Sequence, residues 1–102
     1  MMQWIEEHYP QKFRLEALAA DIGLSASYVS RLFRQQTGGS IREYLLIRRV
    51  KRACELLRGS DSAVAEISRQ AGFADSPYFI TCFKKMMGQT PLAYRKSGRH
   101  RM

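Results

Sequence analysis

Polar and basic side chains recur at helical spacing in the first third of the sequence. Ser30 and Arg31 follow Ser27 by three and four residues, so a helix would bring all three to one face. The forked guanidinium of Arg31 can donate two hydrogen bonds to O6 and N7 of guanine, and the hydroxyls can donate to or accept from several base edges. Such side chains are often ordinary exposed residues, so their interpretation depends on the helices that carry them.

A second stretch has similar spacing and a different chemistry. Its free face would carry Pro77, Ile80 and Thr81, of which only Thr81 has a hydrogen-bonding side chain. Apolar side chains mainly contact the thymine methyl group or follow the shape of the groove. We therefore expect this stretch to discriminate less between bases, with any preference favouring A·T pairs.

The two stretches lie in two copies of a repeated unit. The copies are offset by 49 residues at first and by 50 after one inserted residue. The paired residues include Leu18 and Ile67, Gly23 and Gly72, Leu24 and Phe73, Tyr28 and Tyr78, Phe33 and Phe83, Gly38 and Gly88, and Tyr44 and Tyr94. Each copy reads as a helix, a glycine with an apolar residue, a second helix and another glycine. This order predicts two helix-turn-helix units, whose second helices can enter the DNA major groove.

Residues that begin and end helices agree with this division. Gly23 can close the first turn and Ser25 can cap the helix after it; in the second unit Asp75 or Ser76 would be the cap. A Ser-x-x-Glu capping box at Ser40 starts a connecting helix over about 41–58, which is apolar nearly all round and should lie between the units. The side chains expected to face the core from the second helix of each unit are Val29, Leu32 and Phe33, and Phe79, Cys82, Phe83 and Met86.

Other basic residues lie where a phosphate backbone would pass. Arg34, Lys84 and Lys85 come one or two turns after the free faces and are candidates for phosphate contacts. The helix start at Ser25 can offer backbone amides to a phosphate, and so can the start at Asp75 if its carboxylate points away.

Composition limits the alternatives. The 102 residues are enough for one domain and carry a formal net charge of +8, which favours a polyanionic partner. No spacing of Cys and His suggests zinc, no glycine-rich phosphate loop or acid-base pair suggests an enzyme, and no cofactor is predicted. Cys54 and Cys82 occupy apolar helical positions typical of reduced, buried thiols, and no apolar run is long enough to cross a membrane, so a cytoplasmic protein is expected.

Two other functions fit some of these features. A helical protein-interaction module could use the basic charge for solubility alone, although arrays of helical repeats usually need three or more copies. RNA binding is a weaker alternative because the chain lacks an aromatic-faced sheet on which single-stranded bases stack. Binding to duplex DNA that weakens steeply as salt rises would distinguish a DNA-binding protein from these two alternatives.

The whole pattern resembles the DNA-binding domain of the AraC/XylS family of bacterial transcription regulators. The second half, from Ile67 to Arg95, is the specific part of the match. The residues that carry the resemblance are Leu18-Ala19, Gly23, Ser27 to Phe33, Gly38, Arg49-Val50, Ala53, Leu56-Leu57, Glu66-Ile67, Ala71-Gly72-Phe73, Tyr78-Phe79, Phe83-Lys84, Gly88, Thr90-Pro91 and Tyr94-Arg95. The resemblance implies an all-α domain of seven helices over residues 1–102. Its parts would be a first helix-turn-helix at about 13–39, the connecting helix, a second helix-turn-helix at about 62–88 and a terminal helix at about 90–96.

The resemblance also implies which residues act. The family's base-reading positions fall on Ser27, Ser30 and Arg31 in the first unit and on Ser76, Pro77, Ile80 and Thr81 in the second. Arg49 would be an internal ion-pair partner and not a DNA contact.

Partners follow from the same resemblance. Double-stranded DNA is the expected partner, with a subunit of RNA polymerase as a candidate for transcriptional activation. We expect the chain to be a monomer and interpret it as the C-terminal part of a longer regulator that dimerises through an N-terminal domain. A small stand-alone regulator is the alternative.

Overall fold

The computed structural model describes residues 2–9 and 14–99, and these form seven α-helices. The helices are α1 (Met2–His8), α2 (Leu15–Ile22), α3 (Ala26–Thr37), α4 (Ile41–Gly59), α5 (Val64–Gln70), α6 (Ser76–Met87) and α7 (Pro91–Arg99). Helices α2 and α3 form the first helix-turn-helix, α5 and α6 form the second, and α4 connects them. The part of the chain described contains no strand, so the all-α prediction is confirmed. The predicted start of the first unit at residue 13 lies outside the described residues.

The turns inside the two units have the same backbone hydrogen bonds. After α2, Leu24 N–H donates to the carbonyl of Ala19 (2.9 Å) and Gly23 N–H donates to that of Ala20 (3.2 Å). The second unit repeats both bonds, from Phe73 to Ser68 (3.0 Å) and from Gly72 to Arg69 (3.1 Å). This arrangement needs a left-handed residue at the helix end, which glycine adopts without strain: φ is 73° at Gly23 and 97° at Gly72.

Short polar side chains begin four of the helices. Each accepts a hydrogen bond from the backbone N–H three residues further on, which satisfies an amide that the helix leaves unpaired. The pairs are Ser25 with Tyr28 (3.2 Å), Ser40 with Glu43 (3.1 Å), Asp75 with Tyr78 (2.8 Å) and Thr90 with Ala93 (3.2 Å). Asp75 is therefore the cap of α6, which decides between the two residues that the sequence allowed. Helix α2 begins at Leu15, and Arg14 before it makes no side-chain cap hydrogen bond.

The apolar side chains form two separate cores that share α4. The first core contains Ile5, Tyr9, Leu18, Ala19, Val29, Phe33, Ile41 and Leu45. The second core contains Val50, Ala53, Cys54, Leu57, Ile67, Ala71, Phe73, Phe79, Cys82 and Phe83. The N-terminal part of α4 belongs to the first core and the remainder to the second. This explains why its sequence is apolar on more than one side. Both cysteines are buried and free, as predicted.

Helix α1 is attached to α4 by charged and aromatic contacts. Arg48 donates to both carboxylate oxygens of Glu6, at 2.6 and 2.9 Å, and its guanidinium lies 4.5 Å from the centre of the Tyr9 ring. Arg49 donates through Nε to the carbonyl oxygen of Tyr9 at 2.8 Å, so this bond is not the ion pair expected for Arg49. On its other side, α1 reaches the first unit through a 2.6 Å bond from the Trp4 indole to Asp21.

One expectation about the second unit is wrong. Met86 is 39% exposed, although its spacing from Phe83 predicts that it faces the core. The apolar positions on one side of α6 continue beyond the part of the helix that α7 covers. Phe83 packs against Tyr94 of α7, whereas Met86 lies about one turn further along α6. Helix α7 extends to Arg99, where the sequence pattern gave an approximate end at 96.

We expect the second core to depend strongly on Phe83. This side chain is fully buried and makes edge-to-face contacts with Phe79 and Tyr94, so Phe83→Ala should lower the free energy of unfolding by about 3–5 kcal/mol. Chemical denaturation followed by circular dichroism would measure the change. Met87→Ala, at an exposed position of the same helix, is the control and should change stability by less than about 0.5 kcal/mol. Equal effects of the two substitutions would contradict the packing described here.

Candidate nucleic-acid interface

The free face of α3 brings together the three residues predicted to contact bases in the first unit. Val29 and Phe33 turn inward and are buried, whereas Ser27, Ser30 and Arg31 are exposed on the opposite side. Together with Arg34 they line one shallow surface depression, which Leu15 and Ala26 complete. We call this surface the α3 face. It presents two hydroxyls and two guanidinium groups over about two helical turns.

An exposed aromatic residue adjoins the α3 face. Tyr28 is 45% exposed, and the guanidinium carbon of Arg31 lies 6.0 Å from the centre of its ring. This distance is at the outer limit of a cation–π contact, so the ring restrains Arg31 only weakly. Tyr78 occupies the matching position on α6 and is 52% exposed. Their equivalence in the repeat was the signal that could have identified both.

The corresponding surface of α6, which we call the α6 face, is mostly apolar. Pro77, Ile80 and Thr81 are exposed, and Ser76 is partly buried. The Thr81 hydroxyl donates to the carbonyl oxygen of Pro77 at 3.0 Å, so its proton is already used within the helix and the oxygen remains available as an acceptor. The α6 face thus offers fewer hydrogen-bond donors than the α3 face.

The predicted phosphate contacts lie at the ends of the same helices. Arg34, Lys84 and Lys85 are exposed in the last turns of α3 and α6, and no ion pair among the described residues includes them. Ser25 and Asp75 lie at the opposite ends, where each cap accepts the backbone N–H three residues on. The two starts differ in charge, since Ser25 is neutral and Asp75 carries a carboxylate.

A polar residue missed in the sequence holds the start of α6 in place. Ser68, on α5, is only 1% exposed, and its hydroxyl donates to the carbonyl oxygen of Asp75 at 3.3 Å. The matching position in the first unit is Ala19, which cannot make such a bond.

Arg95, which belongs to the family pattern, joins α7 to α4. Its guanidinium donates to the carbonyl oxygens of Leu57 and Ser60, at 3.1 Å each, and so ties α7 to the end of α4.

A cleft of about 770 Å³ lies between α4 and the second unit, and nothing in the sequence predicted it. One wall is a single face of α4, and the other is the turn between α5 and α6 with Tyr78 beyond it. The cleft is lined by Arg42, Glu43, Leu45, Leu46, Arg49, Arg69, Gly72, Phe73, Ala74 and Tyr78. Three of these residues are arginines and one is acidic, so its rim has an excess of positive charge.

Within the described part of the chain, other kinds of site are not formed. No group of three His, Cys, Asp or Glu residues there could hold a metal ion. None of the described helices combines the length and apolar character needed to cross a bilayer.

Comparisons with known proteins agree with this geometry. A family model described as "Helix-turn-helix domain" matches residues 18–97. The Msm operon regulatory protein of Streptococcus mutans is 39% identical over 92 residues, covering 90% of this chain and 33% of that protein. The HTH-type transcriptional activator RhaS of Salmonella schwarzengrund is 36% identical over 96 residues, covering 94% of this chain and 34% of that protein.

Solved structures give the same result. The DNA-binding domain of AdpA, a global transcriptional factor determined in complex with a target DNA, has a TM-score of 0.91 at 34% identity, with 98% of this chain and 90% of that chain covered. The C-terminal domain of the two-component response regulator yesN from Fusobacterium nucleatum has a TM-score of 0.87 at 39% identity, with 92% of each chain covered.

The fold and these matches define a DNA-binding domain with two helix-turn-helix units. The chain belongs to the AraC/XylS family, which consists of transcription regulators and not of enzymes. It spans about a third of the length of the curated relatives that it matches.

Glu66, which forms part of the family pattern, should titrate at unusually low pH. Its carboxylate accepts hydrogen bonds from Arg69 and from Gln70, which lower its pKa from 4.5 to about 2. Because the pKa is lower in the folded state, the stabilisation is present above about pH 4.5 and is lost as the pH falls through about 2. Arg69→Ala should raise the pKa of Glu66 towards 4.5 in an NMR titration. Lys85→Ala is the control, and equal pKa values in the two variants would contradict the assignment.

Proposed function

We propose that this chain binds double-stranded DNA in a sequence-specific manner and regulates bacterial transcription. The observation that carries the proposal is the α3 face, where Ser27, Ser30 and Arg31 are exposed together on the second helix of a helix-turn-helix. None of the ion pairs among the described residues includes Arg31, and the whole chain has a net charge of +8. The shared fold of AdpA, whose DNA-binding domain was determined with a target DNA, supports the same function.

The two units would occupy successive major grooves on one face of the duplex. The molecule measures 46 Å along its longest axis, which exceeds the roughly 34 Å length of one DNA turn. The units follow each other head to tail in one chain, so binding needs no two-fold axis. A monomer would therefore recognise an asymmetric site, with its two contacts about 10 base pairs apart.

Within the first groove, we assign base contacts to the α3 face. Arg31 would donate both arms of its guanidinium to one guanine, and Ser27 and Ser30 would bond to neighbouring bases. Arg34 would bind a phosphate, because it lies a turn further along the helix, and Ser25 would lie beside the backbone at the helix start.

In the second groove, base contacts would come from Ser76, Pro77, Ile80 and Thr81. The side chains of Pro77 and Ile80 would touch thymine methyl groups and follow groove shape. Lys84 and Lys85 would bind phosphates at the far end of α6, whereas the carboxylate of Asp75 would repel them at the near end.

The regulatory setting is proposed on the basis of the relatives. RhaS is described as an activator, so we propose activation, with RNA polymerase as a protein partner at the promoter. Since the chain spans about a third of its curated relatives, residues 1–102 would be one domain of a longer cytoplasmic regulator that dimerises elsewhere.

Arg31 should be required for base discrimination. On a duplex selected from random sequences, Arg31→Ala should weaken binding by about 1–3 kcal/mol and abolish the preference at one G·C pair. Arg34→Ala should instead weaken binding to all sequences alike, because phosphates carry no sequence information. Fluorescence anisotropy at fixed salt, on the selected duplex and on single-base variants, would measure both effects. A uniform loss for Arg31→Ala would make it a phosphate contact, and failure of the unaltered chain to bind duplex DNA even at low salt would favour a protein-interaction module.

The two halves of the site should differ in sensitivity. Base pairs beneath the α3 face should each lose about 1–3 kcal/mol of binding on substitution, and those beneath the α6 face less, since its exposed side chains are mainly apolar. A base-by-base substitution scan of the selected duplex, with footprinting to assign each half, provides the measurement. A required G·C pair beneath the α6 face, or equal losses in both halves, would refute this difference.

A further inference from the structure

The cleft between α4 and the second unit has an excess of positive charge, which suits a strand of DNA. Its α4 wall includes Arg42, Leu45, Leu46 and Arg49, which recur at intervals of three and four residues and so share one helix face. Glu43, next to Arg42, contributes the one acidic side chain of the lining. The opposite wall brings Phe73 and Arg69. Apolar side chains thus lie between cationic ones, an arrangement that suits the alternating deoxyribose and phosphate groups of a nucleic-acid backbone.

Most of the cleft also lies between the two proposed contacts along the chain. Arg42 stands in the first turn of α4, five residues after α3 ends at Thr37, and Tyr78 stands in the first turn of α6, next to Pro77. The Cys82 thiol beside it raises the pKa of the Tyr78 hydroxyl, while Arg49 and Arg42 act in the opposite direction, which places both cations near this end of α6. DNA that extends from α3 to α6 across the face of α4 that bears these arginines would run beside this cleft.

The arginines of the cleft are not equivalent. Arg49 is half-buried and held by its bond to the Tyr9 carbonyl, and burial lowers its pKa. Arg69 is engaged by Glu66. Arg42 is exposed, and it takes part in none of the ion pairs of the described chain, so its guanidinium can turn to a ligand.

We propose that this cleft binds the sugar–phosphate backbone of the DNA segment between the two major-groove contacts, with Arg42 donating to one phosphate. The proposal rests on the proposed function and adds a third contact region, whose phosphate-binding arginine lies on the connecting helix and in neither helix-turn-helix. A backbone contact at this point fixes the phase of the duplex relative to both reading faces, without reading any base.

The test combines a protein change with a DNA change. Arg42→Ala should weaken binding to the selected duplex about tenfold, equally on all sequences, and should reduce the slope of log K against log salt by about 0.9. In parallel, each phosphate between the two half-sites is replaced by an uncharged methylphosphonate. One replacement should weaken binding of the unaltered chain to a similar extent and leave Arg42→Ala with no further loss.

Control variants separate this contact from general charge. Lys51→Ala removes an exposed cation two and a half turns of α4 away from Arg42, about 180° around the helix axis, and should lose much less affinity. Arg42→Lys should retain part of the affinity, and circular dichroism should show unchanged helix content in every variant. Unaltered affinity for Arg42→Ala, or equal losses with Lys51→Ala, would overturn the proposal while the proposed function stands. Failure of the unaltered chain to bind any duplex would overturn both.

Discussion

The packing of one helix against two separate cores determines the arrangement of this molecule. Helix α4 contributes Ile41 and Leu45 to the first core, and Val50, Ala53, Cys54 and Leu57 to the second. Its 19 residues extend over about 28 Å, so each unit is fixed at one end of a stiff rod. Neither unit could change its distance from the other without exposing apolar surface on α4. The separation of the two reading faces is therefore a result of core packing.

The two units show how a duplicated structure can diverge in chemistry without diverging in shape. Their inner turns share the same two backbone bonds, and their helices start and end with equivalent caps. The exposed faces differ. In the repeat, Ser27, Ser30 and Arg31 of the first unit correspond to Pro77, Ile80 and Thr81 of the second. Buried residues and left-handed glycines constrain the backbone, whereas an exposed position tolerates almost any side chain. The backbone geometry of the two units is thus the same, whereas the exposed side chains that we propose contact bases differ.

Most of the fold could be predicted from the sequence because its signals are local. Glycines at helix ends, capping residues and apolar spacing each act within a few residues, and they placed α3, α4 and α6 correctly. The exposure of Met86 depends instead on where α7 ends its contact with α6, which no local pattern specifies. The bond from Ser68 to the Asp75 carbonyl and those from Arg95 to the end of α4 also join segments distant from one another in sequence or across a turn.

The site could be predicted only in part, for a related reason. Residues on one helix, such as Ser27, Ser30 and Arg31, are brought together by helical spacing alone, and the structure places them on one surface. The cleft has walls from α4 and from the turn before α6, so it appears only when the second unit packs against the connecting helix. The aromatic residues at Tyr28 and Tyr78 carried a weaker signal, since an apolar ring at helical spacing is more often part of a core.

Asp75 has a consequence for how long such a protein stays on DNA. As the cap of α6 it stabilises the helix start, with a 2.8 Å bond to the Tyr78 amide, and it does so with a full negative charge. In the first unit, the neutral Ser25 performs the same structural role. Under the proposed binding mode, repulsion between this carboxylate and the phosphates raises the rate of dissociation of the second half from its groove. Under this binding mode, the Asp75 carboxylate thus increases the stability of α6 and shortens the lifetime of the complex.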